Sequence, residues 1–391
     1  MLESLYLLSL LVVLLVLKAH PTSLIFVAFT NCLTGFTPIV TTLVKYDGLV
    51  EFDKGFVLSL VLIFNFSISI FHMLYVYFKV KHVRFFVFGK YKYSRVILYL
   101  FSFFAVLVVF QNINQGIEVI SHGYISGYKD ASEQSFKSTS FFPFLLIFNF
   151  LLFIYYLRSK NKVYLILMGF IIASYLMYGS RSFLLYTAIS IVAFLILMKK
   201  ITYTKFALVS LLFLPFIVIA GALREGGTAV DSSLLFRMAL EMANIPMIIS
   251  NLDALDSLNQ PFIVILLSAL PHSIIVPLGV EPINSLSTEF VTSYDPGWAK
   301  AGGGFGFSII GEIYYRFGYL GLIVVPYIIV QFLHNIEEMF LEGDEFDKAL
   351  MLTCFYGMLM WPRGDFIEIS RLLMIVFFFY YSKRLVYRNG K

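Results

Sequence analysis

Apolar runs long enough to cross a bilayer recur along the whole chain, and they restrict its fold more than any other feature. A helix needs about 17–25 apolar residues to span a hydrocarbon core of about 30 Å. Runs near that length lie at 2–17, 24–44, 56–78, 94–110, 141–157, 163–178, 183–198, 205–222, 307–332, 347–361 and 367–382. Within lipid every backbone N–H and C=O must find a partner inside the chain, so such runs are expected as α-helices. Composition agrees: of 391 residues 59% are hydrophobic and 14% charged, well outside the range of a water-soluble domain. The expected fold is all-α, a polytopic integral membrane helix bundle of about eleven transmembrane helices forming a single domain over 1–391.

Two segments need separate treatment. The first run opens "MLESLYLL", with an acid where a signal peptide carries basic residues, and lacks a small-x-small cleavage site before Lys18, so it reads as an uncleaved span. The apolar piece 262–280 contains Pro271 and Pro277, follows Pro261 and carries His272 near its middle. Such a piece suits a re-entrant or interfacial element better than a plain span.

Charge sets the orientation. Lysine and arginine collect on the cytoplasmic side of short loops. Lys79, Lys81, Arg84, Lys90, Lys92 and Arg95 cluster in one such loop; counting spans from it puts Arg158, Lys160 and Lys162, then Lys199, Lys200 and Lys205, on the same side. The tail after 382, with Lys383, Arg384, Arg388 and Lys391, also falls inside. Residues 223–261 and 281–306 are then expected as long extracytoplasmic loops that cover an active site, since loops of that length in a compact protein are usually functional. The net charge of +5 is scattered through these short loops and forms no basic, aromatic surface, so nucleic acid is not an expected partner. Cys32 and Cys354 lie far apart in apolar segments and suggest neither a disulfide framework nor a thiolate metal site.

Against the positive-inside bias, basic residues from 181 onward recur at or near the outward helix ends: Arg181, Arg224, Arg237, Lys300, Arg316, Arg363 and Arg371. All but Lys300 are arginine, whose planar fork binds phosphate or carboxylate bidentately and keeps its charge. An anionic ligand on that side is implied. Arg316 follows Glu312 by four residues, so the two share a helical face and can pair; Arg371 follows Glu368 by three. Charges at such depth are costly unless paired or facing a cavity, and they mark function. A single arginine at a helix end also serves as a lipid anchor, but the collective bias needs a ligand. Tyr294, Trp298 and Phe305 with Asp295 suit sugar stacking and hydroxyl binding, although a membrane-interface aromatic belt gives the same composition. The glycines of "AGGGFG" (301–306) are followed by no "GK[ST]" and make no P-loop; they are expected as a flexible lip. No HExxH, DxD-like pair, Walker motif or GxSxG elbow occurs in the outer regions, so metal-independent chemistry without a cofactor is expected.

"GSRSFLLYTAI" after a span, a long outer loop and then "FSIIGEIYYRFGYLGLIVV" resemble the Wzy-type polymerases of O-antigen and capsule repeat units, relatives of the O-antigen ligases grouped with GT-C glycosyltransferases. The resemblance covers about 160–390 in layout, with two short motifs, Gly179-Ser180-Arg181 and Gly311-Glu312 with Gly318 and Gly321. It implies an enzyme of the bacterial cytoplasmic membrane that transfers an oligosaccharide from undecaprenyl diphosphate to a lipid-linked repeat unit at the outer face. Partners would be those lipid-linked oligosaccharides, membrane lipids and a chain-length regulator. The chain departs from an Arg-x10-Gly pattern of some polymerase loops, with Leu235 and Ile248 where glycines would stand after Arg224 and Arg237. It also departs from the ligases, with Ile283 where they place a glycine after the element matched here by His272-Ser273. On this reading Arg181, Arg224, Arg237 and Arg363 contact the diphosphate, and Arg316 and Arg371 support or share that role. Glu312 is the first choice of general base and His272 the second. A flippase for lipid-linked sugars is the main competing reading; it predicts charges along an internal path and related halves, whereas the outlying charges here crowd one face.

Overall fold

The computed structural model of the chain describes residues 2–44, 52–78, 95–122, 142–177, 180–207, 243–255, 285–300 and 304–388. These are almost wholly helical, with no strand among the described residues. The helices are α1 (Leu2–Leu17), α2 (Pro21–Thr34), α3 (Phe36–Val44), α4 (Lys54–Phe78), α5 (Arg95–His122), α6 (Phe142–Ser159), α7 (Val163–Met177) and α8 (Arg181–Leu197). They continue with α9 over 243–250, then α10 (Leu286–Tyr294), α11 (Pro296–Lys300), α12 (Ile309–Glu342), α13 (Glu345–Met360) and α14 (Phe366–Arg388).

Four of these, α4, α5, α6 and α12, are long and apolar enough to cross a membrane, and α1, α2, α7 and α8 are shorter apolar helices. Three expected spans differ in form, the first being 94–110, whose helix α5 continues to His122. The run 24–44 divides at Gly35 into α2 and α3; the Tyr6 ring fills the space beside Gly35, and a Cβ there would lie 2.5 Å from the tyrosine oxygen. The run 307–332 continues to Glu342 and is interrupted at Gly318, whose φ of 61° and ψ of −155° leave the helical region; such a φ suits glycine. The runs 205–222 and 262–280 lie largely or wholly outside the described residues, as does most of the loop 79–95.

α13 occupies the middle of the bundle, packing against α2, α6, α8, α12 and α14. Phe346 and an unbroken run from Ala349 to Leu359 are buried, the pattern of a helix apolar on all sides. Its start is fixed by a capping box between Asp344 and Asp347. Lys383 of α14 pairs with Asp344 and, at 2.8 Å, with Asp347. α4 joins α1 to α12. There Asn31 and Asn65 exchange side-chain hydrogen bonds of 2.9 Å, and Asn65 also donates to Ser9 at 3.2 Å. Such amide pairs hold helices together where lipid supplies no hydrophobic drive. Outward faces carry large apolar side chains, among them Leu15, Phe103, Val106, Phe110, Phe170 and Leu320, a surface that fits acyl chains.

Within the two long loops, the described residues other than 304–306 are mostly helical. Residues 243–255 form α9 and a turn at Leu252–Ala254, and 285–300 form α10 and α11. A Cβ at Gly311 would stand 3.3 Å from Ile249, so α9 and the first turn of α12 approach closely.

Candidate functional site

The first segment of α12 carries Glu312 and Arg316 one turn apart and ends at Gly318. Glu312 is 1% exposed. Its Oε1 accepts from Arg316 Nε at 2.9 Å; its Oε2 accepts from Trp361 Nε1 at 3.0 Å and from the Phe366 backbone N–H at 2.7 Å. Phe366 opens α14, so this carboxylate caps a second helix from outside and meets the positive end of its dipole. The segment "WPRGDF" (361–366) that supplies two of the donors runs as a turn, Trp361–Arg363, followed by Gly364. It is clamped from the other side by residues 304–308: Phe307 N–H donates to the Arg363 carbonyl at 3.2 Å. Gly306 beside it has a φ of 80°, and a Cβ there would fall 2.8 Å from that carbonyl oxygen. The last glycine of the expected lip therefore makes a close backbone contact.

Two more carboxyls belong to the same cluster of charges. Asp365 is buried, and its charge and that of Arg316 both act on Glu289 of α10. Burial pushes the Glu289 carboxyl above the ordinary glutamate range; Arg316 pulls it down and Asp365 pushes it up. Glu289 Oε2, Arg316 Nη2 and Ser308 Oγ are each buried without a hydrogen-bond partner. Buried polar atoms in native proteins are rarely left so, and here a fork nitrogen, a carboxylate oxygen and a hydroxyl share one end of the bundle. Such a set can hold an anion on the arginine and take a proton on a carboxylate whose neutral form is favoured.

Of the residues singled out from sequence, Glu312 and Arg316 are paired, and the 361–366 turn brings Arg363 to the same end of the bundle. The Arg363 and Arg371 side chains are exposed. Arg181 is the first residue of α8, behind Ser180, whose hydroxyl makes no cap bond to the helix; its side chain lies outside the described residues, as do Arg224, Arg237, His272 and the side chain of Glu368. Tyr294 and Trp298 are 38% and 41% exposed. Tyr294 stacks on Phe290 and meets Phe305 edge-on, and Asp295 accepts from Trp298 N–H at 2.9 Å, starting α11. Two partly exposed aromatic rings thus stand on α10, which also carries Glu289, and on α11 directly after it.

Glu289 and Asp365 give no strong signal in sequence. An acid in a polar loop and an aspartate in a turn are both ordinary, and neither sits at helical spacing from an arginine. The available cue is local: Leu286, Phe290 and Val291 are buried, and Glu289, three residues after Leu286 and next to Phe290, falls at the edge of that apolar face.

The family described as O-antigen polysaccharide polymerase Wzy matches residues 1–383. No curated protein and no solved structure matches the chain. With nearly its whole length matched and with apolar helices of membrane-spanning length, the chain is a multi-pass membrane protein and belongs to the O-antigen polysaccharide polymerase Wzy family.

Proposed function

We propose that the protein polymerises undecaprenyl-diphosphate-linked oligosaccharide repeat units into O-antigen or capsule polysaccharide at the outer face of the cytoplasmic membrane. The observation that carries this is the buried Arg316 fork, held by Glu312, with Nη2 unpartnered and its charge felt by Glu289 of α10. In the transfer, an acceptor hydroxyl oxygen forms a bond to the anomeric carbon of the donor sugar. The bond from that carbon to the diphosphate oxygen breaks, and undecaprenyl diphosphate leaves with the electron pair. The hydroxyl proton passes to a carboxylate.

Arg181, Arg224, Arg237 and Arg363 contact the diphosphate, with Arg316 and Arg371 supporting them. Preorganised guanidinium groups stabilise the charge that develops on the leaving group, the work a metal ion does in other transferases. Glu312 already accepts three hydrogen bonds, so in this reading it positions Arg316 and the 361–366 turn. Glu289, with a free buried oxygen and a raised pKa, takes the proton, and His272 is the alternative base. Tyr294, Asp295 and Trp298 bind the repeat-unit sugars.

The test is polymer length in a strain lacking its own polymerase, comparing vector, wild type, Arg181→Ala and Arg181→Lys at matched membrane levels. A ladder restored by the wild type and lost in both variants is expected. Single capped repeats in every strain would refute polymerisation and favour a flippase, and a full ladder from Arg181→Lys would remove Arg181 from the diphosphate site.

A further inference from the structure

Well away from Glu312, three histidines from different parts of the chain converge. His20 stands between α1 and α2, His72 on α4 and His334 on α12. Each offers a ring nitrogen, and the three nitrogens lie within 4.8 Å of one another. Glu312 and His334 are both on α12, separated by about 33 Å of helical rise. By the positive-inside pattern, the histidine end of the bundle faces the cytoplasm.

We propose that His20, His72 and His334 form a site for one divalent transition-metal cation of the zinc class, with Glu337 fixing the ligand geometry. His334 Nε2 and His72 Nδ1 are 3.1 Å apart. Two nitrogens each about 2.0–2.1 Å from a tetrahedral zinc are separated by about 3.3 Å, so these two need almost no movement to share an ion. His20 Nδ1 sits 2.7 Å from Glu337 Oε2, which leaves its Nε2 to the cation. A carboxylate on the far nitrogen fixes tautomer and ring orientation and makes the ligand more basic.

Glu337 is itself anchored, because its Oε1 accepts from the Thr22 backbone N–H at 2.9 Å and from Thr22 Oγ1 at 2.7 Å. The rings are fixed as well. Tyr75 stacks on His334 at 3.8 Å between centroids, and the His20 ring stands nearly perpendicular to those of His72 and His334.

Charge and hydrogen bonding both leave room for an ion. The Glu337 carboxylate lies against the histidine cluster in an apolar bundle, and a dication held by the three rings compensates its charge. A cation between His72 Nδ1 and His334 Nε2 takes the place of the single proton those two nitrogens share, while His72 Nε2, buried without a partner, keeps its own proton. His20 is 23% exposed at the side chain, which provides an entry path and space for a water as fourth ligand. The bound ion ties the α1–α2 junction to α4 and α12, and stabilises the fold in proportion to its occupancy.

The experiment uses the full chain in detergent without a polyhistidine tag, stripped by chelator, re-equilibrated with zinc and analysed for bound metal by mass spectrometry. One zinc per chain is expected for the wild type and none for His72→Ala or His334→Ala. Glu337→Gln should still bind, about 10–100-fold more weakly. Cobalt in place of zinc should give the intense visible absorption of a tetrahedral site. Should the buried-histidine variants aggregate, His20→Ala, at the half-buried ring, decides by the same two readouts. Failure of the wild type to retain metal, or equal retention by wild type and His20→Ala with an octahedral cobalt spectrum, would overturn the site.

Discussion

Replacing Glu312 with leucine removes the one acceptor shared by Arg316, Trp361 and Phe366 and leaves the arginine in a site where its side chain is only 9% exposed. Breaking a buried pair by deleting one partner costs about 3–5 kcal/mol, because the remaining charge is uncompensated. Two further donors, Trp361 Nε1–H and the Phe366 N–H, lose their partner at about 1 kcal/mol or more each. Removing Arg316 as well takes away the buried charge but not the two orphaned donors. The double variant Glu312→Leu/Arg316→Leu should therefore be more stable than Glu312→Leu alone by about 3–5 kcal/mol, yet less stable than the wild type by about 2 kcal/mol. Thermal unfolding of the purified proteins, read by the loss of the monodisperse peak on size exclusion, supplies the order of the three. Polymer ladders supply a second readout, and neither variant should make polymer. If Glu312→Leu is as stable as the double variant, the buried ion pair does not hold this turn together, and the assignment of Glu312 as its anchor fails.

Glu289→Gln should abolish polymer while leaving the protein at least as stable as the wild type. Burial raises the folded pKa of this carboxyl, so its stabilising contribution is greatest below the unfolded pKa and is lost as pH rises through the folded one; glutamine escapes that loss at neutral pH. For the wild type the same shift has the opposite sign in rate, with polymerisation falling as pH drops through a value above the ordinary glutamate range, measured as a pH profile in membranes. Gly306→Ala should displace the Arg363 carbonyl and reduce polymer strongly, whereas Gly304→Ala, with nothing within 4 Å of its new Cβ, should leave the ladder intact. Trp298→Ala and Tyr294→Ala should each weaken repeat-unit binding roughly 5–10-fold, the equivalent of about 1–1.4 kcal/mol of stacking, with little change in thermal stability. A rise in KM at constant kcat is the expected signature, and an unchanged KM in both would remove these aromatics from the sugar site.

The helices were legible because membrane solvation imposes one rule on every span, and an apolar run obeys it regardless of its neighbours. Glu312 and Arg316 were legible as a pair because spacing along a single helix determines that contact. The third and fourth donors and acceptors were not, because Trp361, Phe366, Glu289 and Asp365 reach the pair through tertiary packing of α10 and the 361–366 turn onto α12. The need for glycine at 35 was hidden for a related reason: it depends on where the Tyr6 ring of α1 comes to rest. The histidine cluster joins residues 20, 72 and 334, and nothing local in any of those segments announces the other two.

The break at Gly318 also bears on how this protein fits a membrane. As an unbroken rod, the 34 residues of α12 would extend about 51 Å, longer than a bilayer with its head groups at about 40–45 Å. Below the break, Tyr319–Glu342 extends about 36 Å, close to the hydrocarbon thickness plus a modest tilt. Glu312 and Arg316 consequently ride on a short segment set off by a glycine from the long one; on the proposed orientation their depth is not tied to the length of the span beneath them. Lengthening or shortening the acyl chains should tilt the long segment while the Glu312–Arg316 pair keeps its position relative to the head groups, where, on the proposed function, a lipid-linked diphosphate would lie.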